Sequence, residues 1–255
     1  MNLRYMMCLL AIAATACIGG LRASPVGAAA QHAPAGLHYK TVLVAGDGSL
    51  PVFDDATEAV RDRLLARQAA PGDIQRLSAA PDVIAQDGVR TATLTRVAAA
   101  IADLRPGPGQ GCLVYATSHG APGRGLFLAP SNNFLTPSAL DDALARGCGD
   151  APTVVIMSGC FSGNFAKPPV SRANRIVLTA ARRDRASFGC GAGREYTVYD
   201  ACLLTAMDHA ATWQDAYGSI RACVARAEKG TGFPPSEPQA YFGPAVANLP
   251  TGMTP

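Results

Sequence analysis

The sequence predicts an α/β domain: a mostly parallel sheet with helices on both faces. Short β-branched runs, several ending in glycine or small polar residues, alternate with segments of helical period. Strand and helix exchange places over most of the chain, and alternation at that spacing implies parallel strands joined by crossover helices. Three of the runs end in unusual residues, Gly46-Asp47-Gly48, Ser118-His119-Gly120 and Ser158-Gly159-Cys160. In a parallel sheet these ends share one edge, the edge where such folds bind ligands.

In chain order, the first strand is the run Tyr39 to Gly46. A helix follows, with Ala56, Val60, Leu64 and Leu65 on one face and Asp54 or Asp55 expected as its cap. "DIQRLSA" is a weak second strand, and Leu94, Val97 and Ile101 set the face of a second helix. Gly111 to Gly120 is a buried strand, and "GRGLFLAP" suggests a small hairpin arm. The segment "TPSALDDALARG" reads as a helix capped by Thr136, with Pro137 in its first turn and Gly147 at its end. Thr153 to Met157 and Asn174 to Ala181 are further strands. Helices are expected around Tyr199 to Ala211 and Trp213 to Ala227, with a last strand at Gln239 to Gly243.

Composition excludes several classes. Of 255 residues, 49% are hydrophobic and 16% charged, which suits a packed domain and not a disordered chain. The net charge of +3, with no block of Lys or Arg and a single Trp, gives no nucleic-acid surface. "GDG" at residues 46–48 lacks the glycine spacing and lysine of a phosphate loop. No CxxC pair suggests a metal site.

The N-terminus has the layout of a secretory signal: Arg4, an apolar run from Met6 to Ile18, then Gly19-Gly20 and small residues. Residues 1–30 are expected to be signal peptide and linker, with the Ala/Gly/Pro-rich stretch running to residue 36, 37–247 the folded domain and 248–255 a short tail. Ala28-Ala29-Ala30 suits cleavage, and Cys17 offers a weaker lipoprotein site. The run is short for a membrane span and no second run is long enough, so no stable span is expected after signal removal. The expected location is periplasmic or secreted, and the sequence assigns no oligomeric state.

His119 and Cys160 each lie just past the carboxyl end of a predicted strand, with one helix and its loops between them. The two strands are therefore expected to be neighbours, bringing imidazole and thiol together. A thiol beside a histidine is the minimum for nucleophilic catalysis, because the thiolate is the reactive form. The amides of Gly120 and Cys160 are the natural donors to an oxyanion, and Gly159 and Gly163 are expected to permit the sharp turn that exposes the thiol. The bland alternatives are a turn histidine and a packed cysteine. A serine-nucleophile elbow fits poorly, since Gly159 to Gly163 carries its serine in the fourth position and not the third.

The blocks "YATSHGAPGRG" and "VVIMSGCFSG" resemble the His-Gly and Cys blocks of the legumain-like peptidases, relatives of the caspases, and most closely their exported bacterial branch. The similarity extends to "VLVAGDGSLPVFDDA", "IVLTAARRDRASFGCG" and "SEPQAYFG", so it runs from about Tyr39 to Gly243. It implies a caspase-like three-layer sandwich around a sheet of about six mostly parallel strands. It also implies a cysteine endopeptidase acting on peptide or protein substrates through a thioester acyl-enzyme, with no cofactor and no metal. Carried over, Cys160 is the nucleophile, His119 the proton carrier for the leaving amine, and Gly120 and Cys160 the oxyanion donors. A transpeptidase or ligase of the same family is an alternative, as is a catalytically silent caspase-like binding module.

The chain departs from eukaryotic legumains at Ser118 and Ser158, where those have acidic residues, and at Asp54, where they have a pocket arginine. Asp200 matches a pocket aspartate of the family. Asp54 and Asp200 together would favour Arg or Lys before the cut bond; alternatively Asp54 only caps its helix. Ser187 is a further candidate for the same pocket. With Cys160 free, five cysteines remain beyond the signal region. Cys112 with Cys148 is one expected bridge, Cys190 with Cys202 or Cys223 another, and plain buried thiols a third possibility.

Overall fold

A computed structural model of the protein describes residues 37–252, apart from 68 and 192. The expected signal segment, the linker, Cys8, Cys17 and residues 253–255 lie outside the described residues. The elements run β1 (His38–Ala45), α1 (Val52–Ala66), β2 (Ile74–Ser78), α2 (Pro81–Ile84), β3 (Val89–Thr91), α3 (Leu94–Ala102) and β4 (Gln110–Thr117). Then come β5 (Gly120–Ala121), β6 (Gly125–Leu128), β7 (Asn133–Leu135), α4 (Pro137–Gly147), β8 (Thr153–Ser158) and β9 (Arg175–Thr179). The chain closes with α5 (Val198–His209), α6 (Trp213–Glu228) and β10 (Gln239–Phe242).

The main sheet has seven strands in the order β10-β9-β8-β4-β1-β2-β3, parallel except for β10 against β9. The strand beyond the expected six or so is β3, three partly exposed residues at the edge, too short to show an apolar period. A separate antiparallel sheet of β5, β6 and β7 forms the expected arm, with one strand more than a hairpin.

The central strands are buried on both faces, which is why they read as continuous Val/Ile/Leu runs. Successive side chains go to opposite sides. Leu113, Tyr115, Val154 and Ile156 join the core under α1, α5 and α6, while Val114, Val155 and Val177 join the core under α3 and α4. The result is three layers, consistent with the caspase-like fold.

Each helical layer is tied by one disulfide. Cys112–Cys148 joins β4 to the end of α4, and Cys202–Cys223 joins α5 to α6. Cys190 is therefore not bridged to either expected partner; it is free, as is Cys160. Thr136 caps α4 through the Ala139 amide, with Pro137 at the start as expected. The expected cap of α1 is corrected: Pro51 is the N-cap and makes no side-chain bond, and Asp54 and Asp55 lie inside the first turn. Pro51 enters with a helical φ of −66° and has no N–H to satisfy, so α1 begins before the aspartates. Packing also continues past residue 247: the Leu249 carbonyl accepts from the Trp213 amide, and Thr251 is fully buried. Among the described residues no helix is long and apolar enough to cross a membrane.

Candidate active site

β4 and β8 are neighbours in the centre of the sheet, and their last paired residues are Thr117 and Ser158. His119 and Cys160 each lie two residues further on, so the register delivers them to the sheet edge at one level. The Ser118 amide continues the ladder to the Ser158 carbonyl at 3.0 Å. Both side chains line one pocket, together with Phe53, Ser118, Ser158, Ser187, Phe188, Cys190 and Thr197. His119 meets the Phe53 ring edge-on, with centroids 5.2 Å apart.

The glycines act through close approach and not through unusual dihedrals. A Cβ on Gly120 would stand 1.9 Å from the Cys160 carbonyl oxygen, and one on Gly159 would stand 2.6 Å from the Ser118 carbonyl oxygen. Neither position admits a side chain without moving backbone. A Cβ on Gly163 would likewise stand 2.6 Å from the Arg183 amide nitrogen. The sharp turn expected at Gly159 and Gly163 falls instead on Phe161, which takes the left-handed φ of 57°. A non-glycine residue there costs on the order of 1 kcal/mol, so the turn beside the thiol is held by its surroundings. One restraint is the Phe161 amide, which donates to the Arg185 carbonyl at 2.8 Å.

The same loop reaches the thiol. The Ser187 amide donates to Cys160 Sγ at 3.3 Å, Sγ lies 3.5 Å from the Ser187 carbonyl, and the Ser187 hydroxyl is 3.7 Å away. Among the described residues no hydrogen bond joins His119 to Cys160; such contacts often tighten only when substrate is bound. The backbones that carry the two candidate oxyanion amides approach closely, since a Cβ on Gly120 would stand 3.2 Å from the Cys160 nitrogen. Phe127 donates to His119 beside the Gly120–Leu126 pair, so Gly120 occupies a non-hydrogen-bonded position and its N–H is not consumed by β6. Among the described residues the Cys160 amide meets no acceptor.

Of the four expected specificity residues, Ser158 and Ser187 line the pocket and Asp54 and Asp200 do not. Asp54 is buried beside Arg76 and Ser78 of β2, with neither oxygen in a hydrogen bond. Burial pushes its carboxyl up to about 6, and Ser78 and Arg76 recover only part of the cost. It lies in the first turn of α1, among groups of β2 and not among the residues that line the pocket. Asp200 is fully buried on α5. Its Oδ2 accepts from Thr117 at 2.9 Å and from Thr197 at 2.8 Å, while Oδ1 has no hydrogen bond. Burial raises its carboxyl above the usual range, and the hydroxyls of Ser158, Thr197, Tyr115 and Thr117 oppose the shift. Thr197 thus belongs to both the pocket wall and the aspartate behind it.

Phe53, Phe188, Cys190 and Thr197 were not among the expected site residues. Thr197 carries a signal in its place as a Thr before a helical period. Phe53 follows the first strand tip, which shares the edge with the other two. Phe188 and Cys190 lie in a loop without periodicity. Two larger cavities, one of about 660 Å³ between α6 and residues 235–239 and one of about 440 Å³ beside Arg76, are lined by no cysteine, serine, threonine or histidine. Among the described residues no cluster of His, Cys, Asp and Glu is arranged to hold a metal ion. The pocket therefore combines a thiol, an imidazole and the uncommitted Cys160 amide, with Gly120 next in the chain to His119, a set suited to acyl transfer. The peptidase C13 family matches the chain over residues 98–247, a span that contains both strand tips. No curated protein matches the chain.

Proposed function

Because the chain belongs to the peptidase C13 family, the cysteine peptidases of the legumain type, we propose that it is an exported endopeptidase working through Cys160 and His119. The observation that carries this reading is the register: imidazole and thiol follow paired strand ends by the same two residues and line one pocket. In the proposed reaction Cys160 Sγ attacks the scissile carbonyl as the thiolate. The carbonyl oxygen takes up negative charge between the amides of Gly120 and Cys160. His119 gives its proton to the leaving amine, and water then releases the acyl group from the thioester.

The pocket is inferred to select through hydroxyls. Ser158, Ser187 and Thr197 line it, and Asp200 lies behind Thr197, so the preference for Arg or Lys loses Asp54 as a support. Export is supported by the N-terminal apolar run and by the two disulfides, which persist in oxidising compartments.

Reaction with a peptidyl electrophile tests the site directly, with Cys190 as an internal control. The expected result is an adduct at Cys160 that forms much faster than any at Cys190 and is slowed by His119→Ala. Labelling of Cys160 no faster than Cys190 would instead favour a silent binding module.

A further inference from the structure

Four of the six cysteines beyond residue 100 are consumed by the two bridges, and the two left free line the same pocket. One is the proposed nucleophile; nothing in the proposed reaction uses the other. Cys190 is half-buried and packs against the small cluster of Ala45, Val52 and Phe53, of which Phe53 also meets the His119 ring. The pocket that both thiols line encloses about 10 Å³, about the room that one water needs.

Cys190 also stands where the backbone can bring it closer. It is flanked by Gly189, with a φ of 95°, and Gly191, and Gly193 has a φ of 87°. Positive φ is routine only for glycine, and glycine restricts rotation least. Three residues before Cys190, Ser187 already contacts Cys160 Sγ through its amide. A bridge requires Cα atoms about 4.4–6.8 Å apart, and a short glycine-rich segment anchored on the thiol is suited to reach that range.

We propose that Cys160 and Cys190 form a reversible disulfide that switches the site off under oxidation and shields the nucleophile from irreversible damage. It deepens the proposed function by naming how that thiol is regulated. The oxidant is a hydroperoxide. The Cys160 thiolate attacks one peroxide oxygen, breaking the O–O bond, and becomes a sulfenic acid. The Cys190 thiolate then attacks the Cys160 sulfur, the S–S bond forms, and the hydroxyl leaves as water with a proton. In sum two thiols and one hydrogen peroxide give one disulfide and two waters. The bridge occupies the attacking sulfur and spans the pocket, so substrate is excluded until a thiol reductant reopens it.

The test is peptide mapping by mass spectrometry under non-reducing conditions, after treating the purified protein with hydrogen peroxide, beside Cys190→Ser. This readout is independent of whether the chain cleaves peptides, so failure of the switch and failure of the peptidase reading are distinguishable. In the unsubstituted protein the expected product is a Cys160–Cys190 linked peptide, lighter by two hydrogens, that disappears on mild reduction. In Cys190→Ser the expected product is Cys160 carrying two added oxygens, the sulfinic acid, which reduction does not reverse. Equal sulfinic acid at Cys160 in both proteins, with no linked peptide, would overturn the proposal. A Cys160 link to any other cysteine would do the same.

Discussion

The two walls of the pocket are built on different principles. One wall is the pair of strand tips carrying His119 and Cys160, continuous with β4 and β8 at the centre of a seven-stranded sheet. Its spacing is set by ladder register and by glycine contacts that admit no Cβ, so it has little freedom. The other wall is the loop bearing Ser187, Phe188 and Cys190, which reaches the thiol through a backbone amide and is punctuated by glycines of positive φ. The difference suggests a division of labour: groups that must meet in fixed geometry sit on the sheet, and groups that adjust access or selectivity sit on the loop.

Substitutions on the strand-tip wall should be the most damaging. Cys160→Ala is expected to lower kcat/KM by about 10⁴-fold or more, since loss of a nucleophile removes the covalent path. Steady-state hydrolysis of a cleaved peptide measures it. Gly120→Ala places a methyl 1.9 Å from the Cys160 carbonyl oxygen and must shift the backbone that carries the proposed oxyanion amides. The expected loss is about 10²–10³ in kcat. Near-normal kcat in Gly120→Ala would show that this wall is softer than its packing implies.

Asp54 tests the boundary of the pocket. Its folded-state carboxyl is raised to about 6, above the ordinary aspartate value. The folded protein therefore holds this proton more tightly than the unfolded chain does. Folding stability therefore falls as pH rises from about 4 to about 6, because the charged form is penalised in the buried site. Asp54→Asn should stabilise the protein at pH 7 by on the order of 1–2 kcal/mol, discounting for partial solvation. It should leave the residue preferred before the cut bond unchanged. Urea unfolding at two pH values and cleavage profiling check the two halves.

The smallest effect is expected on the loop wall. Ser187→Ala keeps the amide that contacts Sγ and removes only a hydroxyl at 3.7 Å. The expected change is a few-fold in kcat/KM, within the range of a weak neutral hydrogen bond. A loss as large as that of Gly120→Ala would erase the distinction between the walls.

Much of this was legible in the sequence, and for identifiable reasons. The strands from Thr153 and Gly111 could be read because parallel strands buried on both faces need unbroken apolar runs, and their polar ends marked the edge that holds the site. Thr136 and Pro137 marked α4 because capping is local chemistry. Asp54 was misplaced because an aspartate near a helix start resembles a cap, whereas Pro51 had already set the entry. The cysteine pairing was only half legible, since Cys190 and Cys202 differ in three-dimensional setting and not in spacing. β3 and the Phe188–Cys190 wall carry no period, and their positions follow from the rest of the fold.

The central claim is that register-matched strand tips make a working thiol peptidase, and cleavage of a mixed peptide library tests it most directly. The purified protein and Cys160→Ala would be compared under mild reduction, with cut sites read by mass spectrometry. The account predicts cuts by the unsubstituted protein alone, with polar side chains enriched before the cut bond. Equal cleavage by Cys160→Ala would contradict it, because the thiol at the tip of β8 would then have no part in the reaction.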